Sequence, residues 1–257
     1  MIAAVRAEWT KLRTLPSTGW LLAAAAGATI AVSAIVAAAW HVNRGSTADP
    51  AKLSLTGIYA GQVVIAVLAV LAVSEEYGTG MIRTTFAAMP RRVNLLTAKA
   101  ATLAGLTMPV GLIASTGCLI AGRLLLPGAG LNPAHGYALI SLDQAATLRA
   151  AAGTVIYLIL IGLLTLGVAT IIRDAAASIG TVLALLYLPP IAAQLIHNPT
   201  WQRHIQQIAP MTAGLAIQAT RNLHNLAIGP WPGLGILAIW ATAALLAAAL
   251  LLRLRDA

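Results

Sequence analysis

Six apolar runs of about 20 residues cross this chain, and none contains an Asp, Glu, Lys, Arg or His: Trp20–Trp40, Leu55–Val73, Ala101–Gly122, Gly153–Ile172, Ala175–Ile196 and Trp231–Leu252. A helix of about 20 apolar residues spans the roughly 30 Å hydrocarbon core of a bilayer. The runs therefore predict an all-α integral membrane protein with six transmembrane helices. Ion-coupled transporters and proton relays usually carry ionisable groups within the membrane. Because these runs have none, any transport by this chain is expected to draw its energy from outside it.

The composition leaves little room for a soluble domain. Only 9% of the 257 residues are charged, and the mean hydropathy is +0.85, whereas a soluble domain is about 25% charged. Residues 1–257 are expected to form a single transmembrane domain. The net charge of +9 is assigned to membrane topology and to anionic lipid headgroups, not to nucleic acid.

The distribution of Lys and Arg predicts the orientation in the membrane. With the N-terminus inside, the inner segments carry ten basic residues and the outer segments six. Since basic residues concentrate on the cytoplasmic side, both termini are predicted to be cytoplasmic. The expected location is the plasma (inner) membrane of a bacterium. Only Arg173 and Asp174 separate the fourth and fifth runs, which predicts a tight inner hairpin.

Residues 2–15 have the pattern of a short amphipathic helix. Ile2, Val5, Trp9 and Leu12 share one helical face, while Arg6, Glu8, Lys11 and Arg13 lie off it. This pattern predicts an interfacial helix on the inner membrane surface, with Trp9, Lys11 and Arg13 as its candidate contacts. The alternative is a basic leader that only sets topology.

The inner stretch Ser74–Ala100 is the only sizeable cytoplasmic connection between spans. It begins with an acidic pair, Glu75-Glu76, and Thr79 is a plausible N-cap for a short helix from Gly80 to Ala88. Pro90 would end that helix, and basic residues follow. This arrangement predicts a docking surface for a partner protein. The alternative is a basic loop that binds nothing.

Motifs for catalysis are missing from the sequence. It contains no GxxxxGK[ST] phosphate loop, no HExxH and no GxSxG. We therefore expect no catalytic residue, no ATPase site, no metal site and no cofactor bound by this chain. Glu75 and Glu76 as an acid/base pair remain an alternative.

Uncharged polar residues interrupt the apolar runs, including Gln62, Thr107, Ser115, Tyr157, Thr165, Tyr187 and Gln194. Such groups either hydrogen-bond between helices or line a path. We take Gln62, Tyr187 and Gln194 as the candidate substrate path. Prolines at 109, 189 and 190 are expected to bend the third and fifth spans.

Three segments carry a resemblance to a known family: Glu8–Thr14, Glu76–Thr85 with Pro90–Arg92, and Ala209–Gln218. In order and spacing they resemble the permease subunits of ABC transporters of the type-two exporter kind, which are six-span half-transporters. The resemblance implies a coupling helix within residues 75–92 and short re-entrant helices within residues 198–229. Gly78 departs from the pattern, in which a larger, often basic, residue is expected.

The resemblance also implies partners. Two copies of a separate ATPase subunit would bind ATP and Mg²⁺ and contact this chain through Glu75, Glu76, Tyr77, Thr79, Arg83, Arg91 and Arg92. A second permease subunit, identical or related, would complete a dimer. The complex would export a hydrophobic or amphipathic substrate such as a drug, antibiotic, lipid or peptide. The alternatives are a secondary transporter or channel without an ATPase, and a membrane-embedded enzyme.

Overall fold

A computed structural model describes residues 2–14, 16–41, 48–78, 92–133, 137, 139–141 and 143–254, with residues 2, 3, 75–78 and 92 as backbone only. Throughout these ranges the regular structure is helical, without β-strands. The α-helices are α1 (Ile2–Thr14), α2 (Pro16–Ala39), α3 (Pro50–Ser54), α4 (Ile58–Gly78), α5 (Arg92–Leu125), α6 (Ala145–Ile172), α7 (Ala175–Leu195), α8 (Pro199–Ile208), α9 (Pro210–Leu215) and α10 (Pro230–Leu254). Two 3₁₀ turns, Ala216–Gln218 and Leu223–Asn225, lie between α9 and α10.

Five of these helices, α2, α5, α6, α7 and α10, are long and apolar enough to cross a membrane. The chain is therefore an all-helical, multi-pass membrane protein. The predicted second span lies in α4, whose part from Ile58 to Ser74 is a shorter apolar helix. Six spans, the cytoplasmic termini and the coupling helix stay predictions.

Several helices extend beyond the apolar runs that predicted them. Helix α5 begins at Arg92, before the predicted start at Ala101, and α6 begins at Ala145, before Gly153. In contrast, residues 55–57 form a turn, so α4 begins after the predicted start. The reason is that hydropathy marks where lipid-compatible sequence begins, whereas backbone hydrogen bonding continues the helix into the polar interface.

Helix α6 is the centre of the bundle. It packs against α4, α5 and α10, and 61% of its most apolar window is buried, compared with 17% for α7. Gly167 permits its close approach to α10, because a Cβ there would lie 2.7 Å from the carbonyl carbon of Ala244. Small residues have this role in membrane helix packing. Helix α7 is thus the most peripheral of the five long helices.

The hairpin between α6 and α7 is as tight as predicted. Arg173 adopts the left-handed conformation with φ 64°, and its N–H donates to the carbonyl of Ala169. Asp174 caps α7 by accepting a hydrogen bond of 2.8 Å from the Ala177 N–H. Together these two residues reverse the chain direction and satisfy backbone groups at both helix ends.

The region predicted at residues 198–229 contains the two short helices α8 and α9. Each begins with a proline at its first position, where no intrahelical N–H bond is lost. The Asn198 side chain also caps α8 by accepting from the Thr200 N–H at 2.9 Å. Short helices occur in this region, and their re-entrant placement in the membrane stays a prediction.

Candidate functional site

A cluster of polar side chains lies inside the bundle and joins three helices. Gln62 of α4 donates through Nε2 to the Tyr187 hydroxyl of α7 at 2.8 Å, and Tyr157 of α6 donates to Gln62 Oε1. Tyr187 in turn donates to the backbone carbonyl of Tyr59. Gln62 and Tyr157 are both 0% exposed. We call Gln62, Tyr157 and Tyr187 the polar cluster.

The hydrogen bonds of the polar cluster run in a single direction. Tyr157 donates to Gln62, Gln62 donates to Tyr187, and Tyr187 donates to a backbone carbonyl. Hydrogen bonds connected in this way polarise one another, and the effect is larger in a low-dielectric interior. Gln62 Nε2 also lies 3.1 Å from the Met211 sulfur of α9. The cluster therefore connects the central helix to peripheral α7 and to the short helix α9.

The three candidate path residues do not all come together. Gln62 and Tyr187 are hydrogen-bonded partners, whereas Gln194 lies further along α7 and is exposed. Because Gln194 follows Tyr187 by about two turns on a helix that the proline pair interrupts, it cannot share the same contact. Tyr157 belongs to the polar cluster and Met211 contacts it. Neither residue was among the candidate path residues. The hydroxyl of Tyr157 within an apolar run was the sequence feature that could have identified it.

Other polar residues of the spans mostly bond within their own helix. Thr165 Oγ1 donates to Ile161 O at 2.8 Å and Ser115 Oγ to Leu112 O at 3.2 Å. Within the described ranges Thr107 Oγ1 is buried without a hydrogen-bond partner. The local bonds of Thr165 and Ser115 differ from the contacts of the polar cluster, which join separate helices.

The proline pair follows Tyr187 in α7, with Leu188 between them. Pro189 and Pro190 have no N–H, so the carbonyls of Leu185 and Leu186 cannot receive their usual intrahelical bonds. Helix α7 is therefore weakened close to the point where Tyr187 joins it to α4. Helix α7 is also poorly buried, and the bond between Tyr187 and Gln62 is one of its contacts with the bundle.

A buried ion pair lies at the end of the bundle where α4 ends and α5 begins. Lys99 Nζ of α5 lies 3.1 Å from Glu8 Oε2 of α1, and the two side chains are 6% and 7% exposed. Lys99 Nζ also donates to the carbonyl of Ala72 in α4 at 3.1 Å. We call this arrangement the Glu8–Lys99 clamp. It joins α1, α4 and α5 at one point.

The buried face of α1 is the one that carries Glu8. The buried residues are Ala4, Glu8 and Leu12, spaced four apart, and Trp9 is 39% exposed. Sequence periodicity placed Glu8 off the apolar face, and it could not show that Lys99 provides a buried partner for the carboxylate. The ring of Trp9 still packs over Gly105 of α5, where a Cβ would lie 3.2 Å from it.

The other two candidate contacts of α1 are more exposed than Glu8. Arg13 is exposed and Lys11 is half-buried. Both lie in the last turn of the helix, where basic side chains interact favourably with the helix dipole. They remain candidates for contact with lipid headgroups.

Of the seven predicted ATPase-coupling residues, three lie outside the described residues and four are described by their backbone only. Thr79, Arg83 and Arg91 are the three outside. The backbone of Glu75, Glu76 and Tyr77 forms the last turn of α4, and that of Arg92 begins α5. The clamp lies just behind these ends, because Ala72 and Lys99 are on the same two helices. The helices on either side of residues 79–91 are thus fixed to each other and to α1.

The Asp49 carboxylate joins several segments at the end of the molecule opposite the Glu8–Lys99 clamp. Asp49 Oδ2 accepts from the N–H groups of Thr220 at 2.5 Å and Arg221 at 2.9 Å. Asp49 Oδ1 accepts from Thr220 Oγ1 at 2.6 Å and from the Lys52 N–H at 3.2 Å. Arg149 of α6 adds a bond of 2.5 Å to the carbonyl of Ala219. The segment after α9 is therefore fixed to α3 and to the central helix.

Removing the Tyr157 hydroxyl should destabilise the fold. Tyr157→Phe leaves Gln62 Oε1 buried without its donor, at a cost of about 1–3 kcal/mol. Thermal unfolding in lipid nanodiscs measures the difference. Tyr59→Phe is the matched control, since Tyr59 contributes only its backbone carbonyl to the cluster. An equal loss of stability in both variants would show that the cluster bonds have no special role.

Comparison with protein-family models and with curated proteins gives no match to this chain. A helical membrane fold serves many functions, so function has to be argued from the arrangement of particular residues.

Proposed function

We propose that this chain is the membrane-spanning permease subunit of an ATP-driven ABC exporter of the type-two kind. It would move a hydrophobic or amphipathic substrate, such as a drug, antibiotic, lipid or peptide, across the inner membrane of a bacterium. The observation that supports this proposal best is the Glu8–Lys99 clamp. It unites α1, α4 and α5 directly behind the segment that resembles a coupling helix.

The described contacts provide a route for motion from the clamp to the interior. Gln62 and Ala72 are ten residues apart on α4, a distance of about 15 Å along a helix. A displacement of the inner end of α4 would therefore reach the polar cluster through one rigid element. There Gln62 is bonded to Tyr187 of α7, the helix that prolines weaken. We infer that α7 is the element that moves.

Energy would come from two copies of a separate ATPase subunit. Those subunits would bind ATP and Mg²⁺ and seat the segment 75–92 in a cleft. ATP can drive the cycle only by binding one state of the complex better than the other. Two permease subunits would enclose the path, each with six spans and both termini in the cytoplasm, and α4 would be the second span.

The chemistry of the interior suits an amphipathic cargo. The polar cluster is uncharged, and its surroundings are apolar side chains such as Ile65, Leu158 and Leu186. An uncharged polar site in an apolar wall offers hydrogen bonds to a polar group without the charge that selects a small ion. The substrate itself stays open within this class.

Complex formation with a phosphate-loop ATPase encoded in a neighbouring reading frame tests the proposal. We expect the two proteins to co-purify, and we expect Glu76→Ala combined with Arg83→Ala to abolish both the complex and stimulated ATP hydrolysis. Asp143→Ala combined with Arg203→Ala is the matched control, because it removes an exposed acid and an exposed base from elsewhere. Retention of complex and hydrolysis in the Glu76/Arg83 variant would refute the docking role.

A further inference from the structure

A cavity of about 230 Å³ lies at the end of the molecule that Asp49 ties together. Its walls come from α3, the start of α4, α8, α9 and residues 226–228. The polar side chains in the lining are Lys52, Tyr59, Gln206 and Thr212. The remaining wall is apolar, with Leu215 and Leu226 as its larger side chains.

Lys52 gives the cavity a positive charge. None of the described lining residues is an Asp or Glu. Asp49 lies only three residues before Lys52, but its two oxygens accept from backbone N–H groups and from Thr220 Oγ1. With its carboxylate engaged in this way, Asp49 forms no ion pair with the ammonium of Lys52.

Neutral donors accompany the charge. The hydroxyl of Tyr59 and the side-chain amide of Gln206 line the same cavity. The Thr212 hydroxyl donates to the backbone carbonyl of Gln206 at 2.9 Å. The hydroxyl oxygen of Thr212 therefore remains available as an acceptor. A cation with two neutral donors is suited to a carboxylate or phosphate oxygen. The apolar wall is suited to the methylene groups that follow such a head.

We propose that this cavity binds the anionic head and first methylene groups of an amphiphile. The head is a carboxylate or a phosphate, from a free fatty acid or from an anionic membrane lipid. Lys52 pairs with the charge, Tyr59 donates to it, and Leu215 and Leu226 contact the chain. The proposal goes beyond the transport function and needs no ATPase.

The cavity also touches the polar cluster. Tyr59 lines the cavity, and its backbone carbonyl ends the hydrogen-bond chain from Tyr157. Thr212 of the cavity follows Met211, which contacts Gln62. A bound amphiphile would therefore contact residues that hold α7 in place.

Photocrosslinking in phosphatidylcholine nanodiscs tests the site. The probe is dodecanoate with a diazirine in its chain, and mass spectrometry locates the labelled residues. We expect label at residues 226–228 with the carboxylate probe and little with the matching dodecanol or dodecylamine probe. Equal labelling by the alcohol would overturn the proposal.

Variants show whether Lys52 recognises the charge. Lys52→Gln should weaken binding about tenfold or more, since it removes the charge-assisted hydrogen bond to the anion. Lys52→Arg should retain it, and Arg203→Gln, which removes an exposed positive charge outside the cavity, is the matched control. Tyr59→Phe is a second variant and should weaken binding several-fold. Unchanged affinity in both Lys52→Gln and Tyr59→Phe would overturn the proposal.

A final experiment varies the lipid composition to identify the source of the ligand. If nanodiscs that contain phosphatidylglycerol suppress labelling by dodecanoate, the membrane lipid is the occupant. If they do not, the occupant is a free amphiphile. Either result supports an anion-selective site, whereas labelling that is unselective for charge in both lipid compositions contradicts it.

Discussion

Lys99→Met should destabilise the protein by about 3–5 kcal/mol, because it leaves the Glu8 carboxylate buried without its partner. Methionine retains the length and apolar character of the side chain, so most of the packing is preserved. Glu8 is 6% exposed in the native structure and cannot regain full hydration without moving α1. Thermal or denaturant unfolding in lipid nanodiscs measures the change. Arg203→Met, at an exposed arginine of α8, is the control and should have little effect.

The double variant separates charge from packing. Glu8→Met combined with Lys99→Met should recover most of the stability lost in the single variant, since a buried pair replaced by apolar residues is often neutral. If the clamp transmits motion, the recovered protein should still stimulate its ATPase less than the native chain does. Full stimulation by the stable double variant would show that the clamp is structural only. A double variant as unstable as Lys99→Met would refute the ion-pair explanation.

Gly233→Ala should destabilise the contact between α10 and α9, while Gly235→Ala should not. A Cβ at Gly233 would lie 2.1 Å from the backbone oxygen of Ala213, whereas one at Gly235 has nothing within 4 Å. Backbone atoms cannot rotate away, so the two helices must separate, and overpacking of this kind costs about 1–3 kcal/mol or more. At Gly235 alanine should be neutral, or stabilising by up to about 1 kcal/mol through helix propensity.

Thermal unfolding of the two glycine variants gives the comparison directly. Both substitutions add one methyl group to the same helix, two positions apart, so only the surroundings of the added group differ. Equal stability of Gly233→Ala and Gly235→Ala would show that α9 does not approach α10 as closely as described.

The long helices were predictable from the sequence because a membrane span needs an uninterrupted apolar run. Their ends were less predictable, and α5 begins at Arg92 instead of Ala101. Lipid requires apolar side chains only within the hydrocarbon core, while backbone hydrogen bonds continue the helix beyond it. The two-residue hairpin at Arg173 and Asp174 was predictable because so short a connection permits only an antiparallel arrangement of the two helices.

The interior sites were only partly predictable. Gln62 and Tyr187 were recognised as polar residues in apolar runs, but their pairing across 125 residues depends on how three helices pack. Glu8 and Lys99 lie 91 residues apart, and each fitted a simpler interpretation, one as the polar side of a surface helix and the other as a basic residue that sets topology. Local periodicity carries no information about such pairs.

The source of energy for transport is the most direct test of the account. The chain would be reconstituted in sealed vesicles with and without the partner ATPase, and movement of a fluorescent amphiphile would be followed. We predict transport only when the ATPase and ATP are both present, unaffected by collapse of the proton gradient. Transport by the chain alone, driven by a proton gradient in vesicles without ATP, would contradict the account.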